Sequence, residues 1–341
     1  MSVLHLLGSA ADGGAETYFA SLVGALARAG VEEACAIRRH PARERAVAHE
    51  GVPVRTFRFG GLPDVFTRPR VAAYARREKA KVLLAWMNRA AAKTPKGDWA
   101  RIGRLGGYYS LKYYKGFDTL VANTPDIRRW VIEQGWPEQR VLYIPNFATA
   151  RDSQPEDRAA LDTPEDAPLL LAMGRLHANK AHDVSLKALA LVPGAYLWIA
   201  GAGPLDAKLK ALATELGVAD RVRFLGWRED ASALYRAADI CVFPSRFEPL
   251  GNVVIQCWAH GIPIVAAASQ GPGALIRDGE DGLLVPVDDA QALAAGVQRL
   301  LDDPMLPIKL IQNGHARVEG EYSEAAVVAQ WKALFARYGE A

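Results

Sequence analysis

The chain has 341 residues, half of them hydrophobic and 23% charged. These are the proportions of a folded protein with room for two cores, not of a disordered or fibrous one. No apolar run approaches the ~20 residues of a membrane span, and three cysteines (Cys35, Cys241, Cys257) without metal spacing argue against a zinc module or a disulfide framework and suit a reducing cytoplasm.

The net charge of +3 hides a split. Residues 1–150 carry 23 Lys and Arg against 13 Asp and Glu, whereas residues 151–341 carry 18 against 25. Such asymmetry predicts two domains with different partners.

Along the first half, residues 3–7 read as a strand, and the opening MSVLHLLG lacks the basic start and cleavage site of a signal peptide. The loop that follows contains Gly13 and Gly14, which let backbone approach a ligand closely. Glu16 comes next, in what reads as the first turn of a helix over 15–29, where a carboxylate suits the dipole. The glycine spacing does not fit a nicotinamide-binding turn. Tyr18, Phe19, Leu22, Val23 and Leu26 recur at helical spacing, and Gly30 is placed to end that helix. Segments 34–37, 54–57, 82–86, 119–122 and 141–144 read as strands, with a helix over 126–133. The cations concentrate between Arg38 and Lys115, and a positive face of that kind attracts phosphorylated or membrane-surface partners. Within it, RLGGYYSLKYYK from Arg104 to Lys115 interleaves aromatics with cations, as a surface that stacks on sugar rings or meets a membrane does. No nucleic-acid fold signature accompanies it.

Residues 151–167 are rich in Asp, Glu and Pro and read as a linker or the polar start of a second domain. Strands are then expected at 169–173, 196–200, 222–225, 240–243, 263–266 and 282–285, with a helix over 290–301. The last helix, 322–338, has Val327, Val328, Trp331, Leu334 and Phe335 on its apolar face. Alternating strands and helices predict an α/β protein with parallel sheets. The strand 169–173 ends in Gly174–Arg175, with Lys180 five residues on. Two cations at the C-terminal edge of a strand can stabilise a developing negative charge. Gly201 and Gly203 form a turn after the next strand, and Gly226 ends the one after. The strand 240–243 opens through Ser245, Glu248, Leu250, Gly251 and Asn252 into a helix. Unpaired N–H groups and the helix dipole make such a junction an anion site. Glu248 stands at its lip, and Gln256 lies further along the helix on roughly the same side. Asp-x-Asp occurs nowhere.

Ser245, Glu248, Gly251 and Gln256 resemble the donor signature Ser-x-x-Glu-x-x-Gly-x-x-x-x-Glu of retaining GT-B glycosyltransferases of the family 4 type. Gly174, Arg175 and Lys180 resemble the Gly-Arg-x-x-x-x-Lys of that family, and Gly13–Gly14–x–Glu16 its first loop. The resemblance covers nearly the whole chain. It implies two Rossmann-like domains facing across a cleft: 1–150 for the acceptor, 151–321 for a nucleotide-sugar donor, and 322–341 as a helix crossing back. It also implies roles. Gly13 and Gly14 admit the donor phosphates, and Arg175 and Lys180 hold them. Glu248 orients the transferred sugar, and the backbone of Leu250, Gly251 and Asn252 donates to phosphate. Gly201, Gly203 and Gly226 surround the nucleotide, and Gln256 holds ribose. Glu16, Asn88, Arg89, Arg104, Tyr108 and Lys112 are assigned to the acceptor.

The chain departs from the family twice. Gln256 replaces a Glu, and an amide offers one acceptor and one donor group where a carboxylate accepts twice. No His occurs in residues 84–89, where many relatives place one against the sugar, leaving Asn88 or Arg89 to fill the space. The resulting expectation is a retaining hexosyltransferase using UDP-sugar in preference to GDP-sugar, needing no cofactor and no metal. Its acceptor is expected to be an anionic glycan or glycolipid of lipopolysaccharide core or another surface glycan. The expected location is the cytoplasm, with peripheral contact at the inner membrane, and nucleic acid is not expected as a partner. Two alternatives stand: a non-catalytic nucleotide- or glycan-binding relative, and another GT-B enzyme such as a nucleotide-sugar 2-epimerase or a sugar phosphorylase.

Overall fold

Strands covered by helices on both faces read as unbroken apolar runs rather than alternating ones. LLLAM at Leu169–Met173 and YLWIA at Tyr196–Ala200 are runs of this kind, and nearly every residue in them is buried. The computed structural model describes residues 2–11, 13–61, 64–150, 152–228 and 231–339. It divides into two α/β units, Met1–Asn146 with Glu324–Ala341, and Phe147–Ser323.

In chain order the first unit holds β1 (Ser2–Leu7), α1 (Gly14–Arg28), β2 (Glu32–Ile37), α2 (Pro41–His49), β3 (Val54–Thr56), α3 (Thr67–Arg77), β4 (Ala80–Trp86), α4 (Met87–Lys93), β5 (Ala100–Leu105), β6 (Thr119–Ala122), α5 (Pro125–Glu133) and β7 (Val141–Tyr143). The second holds β8 (Leu169–Met173), α6 (His182–Ala190), β9 (Tyr196–Ala200), α7 (Asp206–Glu215), β10 (Val222–Gly226), α8 (Ala231–Ala237), β11 (Ile240–Phe243), α9 (Asn252–His260), β12 (Ile264–Ala267), α10 (Gln270–Leu275), β13 (Leu283–Val285), α11 (Ala290–Asp302) and α12 (Met305–Arg317). The last helix, α13 (Glu324–Ala336), groups with the first unit. It buries Val327, Val328, Trp331, Leu334 and Phe335. Glu324 accepts from the Arg28 guanidinium of α1 at 3.0 Å, and Lys332 donates to the carbonyl of Ala29 at 3.0 Å. No helix among the described residues is long and apolar enough to cross a membrane.

The sheets are parallel, ordered β3-β2-β1-β4-β5-β6-β7 and β10-β9-β8-β11-β12-β13. Each sheet grows outward from its first strand and then reverses to the other side. The point of reversal lies between β1 and β4 in one unit and between β8 and β11 in the other. Neighbouring loops diverge there and leave a crevice at the carboxyl ends of the strands, where such sheets bind ligands.

The sequence reading missed β5. Its segment, ARIGRL, carries two arginines and gives no apolar run, yet Ile102, Gly103, Arg104 and Leu105 are buried in the middle of the sheet. The acidic segment 151–167 is the polar start of the second unit. Arg158 donates to the carbonyl of Ala237 and to Asp239 at 2.9 Å each, and the Trp198 indole donates to the Thr163 hydroxyl at 2.9 Å.

Candidate active site

At the carboxyl ends of β8, β9 and β10 the backbones run too close for side chains. A Cβ on Gly201 would lie 1.9 Å from the Gly174 carbonyl oxygen, and one on Gly203 would lie 2.5 Å from that of Leu176. Gly174 and Gly201 also adopt φ of +143° and +152°, which L side chains rarely do. Gly174 N donates to Ala200 O at 3.0 Å and Gly201 N to Gly226 O at 2.8 Å, so the four glycines line one edge. Arg175 leaves this edge with its side chain exposed.

The chain then returns to the edge through Ala181, a non-glycine residue at φ +52°, and enters α6 at His182. His182 is buried, and its Nε2 lies 3.1 Å from the Gly174 carbonyl, tying the start of α6 to the end of β8. Burial pushes the imidazole pKa down to about 4; the carbonyl opposes this, and the Lys180 charge adds to it. Lys180, on the return, forms an ion pair with Glu248, its ammonium 5.4 Å from the Phe243 ring centre.

Glu248 belongs to the loop between β11 and α9, and that loop is held from three sides. Gly251 N donates to the Glu248 carboxylate at 3.3 Å, Gly271 N to the Glu248 carbonyl at 2.7 Å, and Glu248 N to the Gln270 amide oxygen at 3.4 Å. Gly251 caps α9 in the left-handed conformation, φ +86°, and a Cβ on Gly271 would lie 2.3 Å from the Leu250 carbonyl oxygen. Ser245 is fully buried, and its hydroxyl makes no hydrogen bond among the described residues. Asn252 opens α9, and half-buried Gln256 follows four residues later, on the same face. The structure therefore lines Gly174, Gly201, Gly203 and Gly226 along the carboxyl edge of β8, β9 and β10, and brings Lys180 to Glu248 beside Leu250, Gly251 and Asn252 at the start of α9, with Arg175 following Gly174 and Gln256 one turn along α9.

Arg246 is a member of this site that sequence reasoning passed over. Its guanidinium grips Asp183 of α6 with two bonds of 2.9 and 2.7 Å, donates to the Ala178 carbonyl at 2.8 Å and pairs with Asp288. Its backbone N donates to the Asn179 carbonyl at 2.8 Å. The loop carrying Lys180 is thus fastened to the loop carrying Glu248. The available signal was the placement of an arginine inside the Ser245–Glu248 motif and of an aspartate three residues past Lys180.

In the first unit, Gly13 precedes α1 and Gly14 begins it, with Glu16 in its first turn. Arg89 donates to the Gly8 carbonyl at 3.3 Å, and Asn88 keeps a buried amide oxygen without a hydrogen bond among the described residues. Asp12, between these loop positions, lies outside the described residues. Tyr108 donates to Asp126 of α5, and Lys112 is exposed, its ammonium 5.0 Å from the Tyr113 ring centre. Arg104 corrects an expectation. It is 3% exposed, its guanidinium lies 4.5 Å from the Trp86 ring centre and 4.9 Å from that of Tyr18, and it donates to Asn146. Burial lowers its pKa. Tyr114 is fully buried as well, so the stretch from Arg104 to Lys115 is not one continuous surface. Consecutive residues Ile102 to Leu105 are buried on both faces of β5, so Arg104 has no solvent side to turn to, and aromatic faces and an amide accept its charge.

Residues 12–150 match the model of Glycosyltransferase Family 4, and residues 153–317 that of Glycosyl transferases group 1. The chain is 40% identical over 330 residues to the lipopolysaccharide core biosynthesis glycosyltransferase LpsE of Rhizobium meliloti (strain 1021), covering 95% of this chain and 96% of that protein. It is 37% identical over 345 residues to LpsD of the same organism, another lipopolysaccharide core biosynthesis glycosyltransferase, covering 99% and 98%. Among solved structures, Anabaena HepE in complex with UDP-glucose superposes with a TM-score of 0.86 at 19% identity, over 99% of this chain and all of that one. The chain therefore belongs to the GT-B glycosyltransferases, with a family 4 domain followed by a group 1 domain.

Proposed function

We propose that this glycosyltransferase moves a hexosyl group from a nucleotide-sugar to a glycan or glycolipid of the lipopolysaccharide core or another surface glycan, with retention at the anomeric carbon and without a metal. The observation that carries this reading is the Lys180–Glu248 pair beside the N-terminus of α9 at the reversal point of the second sheet. Charge develops on the donor's phosphate as the glycosidic bond breaks. Lys180 and Arg175 answer it electrostatically, together with the helix N-terminus. Glu248 exchanges its lysine partner for hydroxyls of the sugar. The acceptor hydroxyl attacks on the face the phosphate leaves, its proton passes to that phosphate, and no enzymic nucleophile takes part. Gln256 binds ribose with one acceptor and one donor group. Glu16, Asn88, Arg89, Tyr108 and Lys112 of the basic first unit are offered to the acceptor. We take UDP as the first nucleotide to test, because HepE was crystallised with UDP-glucose.

Calorimetric titration with UDP, GDP, UDP-glucose and GDP-mannose, with chelator present, tests the donor reading. One nucleotide series is expected to bind, and Arg175→Ala is expected to weaken it by about 2–3 kcal/mol, the scale of a charge-assisted contact. Absence of binding by all four would remove the donor site. The anomeric configuration of the product, read by NMR, then decides retention.

A further inference from the structure

Many cations of the first unit are answered by acids: Arg28 by Glu50 and Glu324, Lys93 by Asp64, Arg128 by Glu138. Around one cavity of about 190 Å³ they are not. Arg68 of α3, Lys96 before β5, Arg101 at the start of β5, and Lys115 before β6 line it together with Tyr113 and Phe117. No carboxylate lines it, and none of the four cations has an acidic partner among the described residues. The Asp118 carboxylate, close in sequence, accepts instead from the backbone N of Arg101 at 2.8 Å, and Asp98 is exposed outside the cavity.

Two of the cations are already fixed. Arg68 donates through Nε and Nη2 to the Ala92 carbonyl, at 3.2 and 2.6 Å. Arg101 donates to the Gly116 carbonyl and lies 5.5 Å from the Phe117 ring centre. Part of the ordering that binding would require has therefore already occurred on folding. Four like charges around one small space repel one another, and an anion seated among them removes that repulsion and gains four attractions. The aromatic rings of Tyr113 and Phe117 close the cavity beside the charges, leaving room for a compact anion and the first atoms of its carrier.

We propose that this cavity binds a phosphate monoester, presented by a phosphorylated saccharide or by a lipid headgroup. Val65 and Phe66, 63% and 60% exposed just before Arg68, give an apolar neighbour to either carrier. The site is separate from the nucleotide site of the second unit, and titration with UDP serves as a check that each stands or falls alone.

The test compares the full chain with the double variant Lys96→Gln/Lys115→Gln, both exposed positions, and with Lys81→Gln, an exposed lysine outside the cavity, as control. One probe is glucose 6-phosphate, followed by calorimetry at low salt; the other is phosphatidylcholine vesicles containing phosphatidic acid, followed by co-sedimentation. Glucose 6-phosphate binding that weakens about tenfold in the double variant but not in the control establishes the site and places its phosphate on a saccharide. Vesicle binding alone, weakened likewise, establishes it and places the phosphate on a lipid. Equal behaviour of parent and double variant toward both probes overturns the proposal.

Discussion

His182 and Ala181 show how much of the second unit's edge depends on two consecutive side chains. His182 is neutral in the fold because burial outweighs the carbonyl that would favour its charge. Its pKa falls from 6.5 unfolded to about 4 folded. Between these values the unfolded chain binds the extra proton, so the His182 contribution is present above pH 6.5 and is lost as pH falls toward 4. Its full size is roughly 3 kcal/mol. Asp183, held below its usual range mainly by Arg246 against a burial penalty, adds acid sensitivity only below its ordinary value of 3.8. Urea unfolding at pH 7.5, 5.5 and 4.5 is expected to show a steeper decline for the parent than for His182→Asn, which cannot titrate; parallel curves would remove the assignment. Ala181 sits at φ +52° and is fully buried. Left-handed backbone costs an L residue roughly 1–2 kcal/mol. Ala181→Gly relieves that, but loses a buried methyl of about 0.8 kcal/mol and gains unfolded entropy, so it is expected within about 1 kcal/mol of the parent. Ala181→Val adds apolar volume and is nevertheless expected to lose about 2–4 kcal/mol, because a β-branched residue fits that φ poorly. The denaturation midpoints of the two variants check both.

Between elements, the decisive device is the fastening of the β8–α6 connection to the β11–α9 connection. Arg246 makes it with four bonds to Asp183, Ala178 and Asn179, and a fifth to Asp288 ties in the connection between β13 and α11. Without the guanidinium, Lys180 and Glu248 would still be present, but their loops would be joined only by the backbone bonds to Asn179 and by the Lys180–Glu248 pair. Misplacement by about 1 Å can cost on the order of 100-fold in rate. Arg246→Ala is therefore expected to fold, to lose about 1–3 kcal/mol of stability, and to lower kcat/KM by roughly 10–100-fold. Arg246→Lys is expected to rescue little, since an ammonium cannot reproduce the two-pronged grip on Asp183. A kcat/KM equal to the parent in Arg246→Ala would show that the loops hold their places unaided. Much of this junction was legible beforehand. Strand β11, the glycine cap and the first turn of α9 follow from an apolar run ended by Pro and from Gly251. The Arg246–Asp183 grip was not legible, because its partners are 63 residues apart and neither residue type is unusual in a loop.

For the whole molecule, the informative feature is a chain that ends in the unit where it began. The apolar face of α13 is periodic in sequence, so that it must be buried was readable, but periodicity does not say against what. In the structure it joins α1 through Arg28–Glu324 and Lys332–Ala29, and Thr119 meets Tyr338 at 2.6 Å. Trp331 is 1% exposed within this packing. Trp331→Ala is expected to cost about 3–5 kcal/mol, and the loss should fall on the first unit. Hydrogen exchange should quicken in α1 and leave the six-stranded sheet unchanged. Quickening in the second sheet would place the helix elsewhere.

What the sequence determined by itself is what short-range physics can carry. Apolar runs marked nearly all the strands, their alternation with helices marked the parallel sheets, and the spacing from Ser245 to Gln256 and from Gly174 to Lys180 marked the candidate site. Tertiary structure alone decided the rest. Strand β5 and the inward turn of Arg104 depend on Trp86 and Tyr18 arriving from other elements to accept a buried charge. The pairing of Lys180 with Glu248 and the clustering of four unanswered cations likewise join residues far apart in the chain. Composition can count such charges, but only the folded backbone brings them within the few ångströms over which they act.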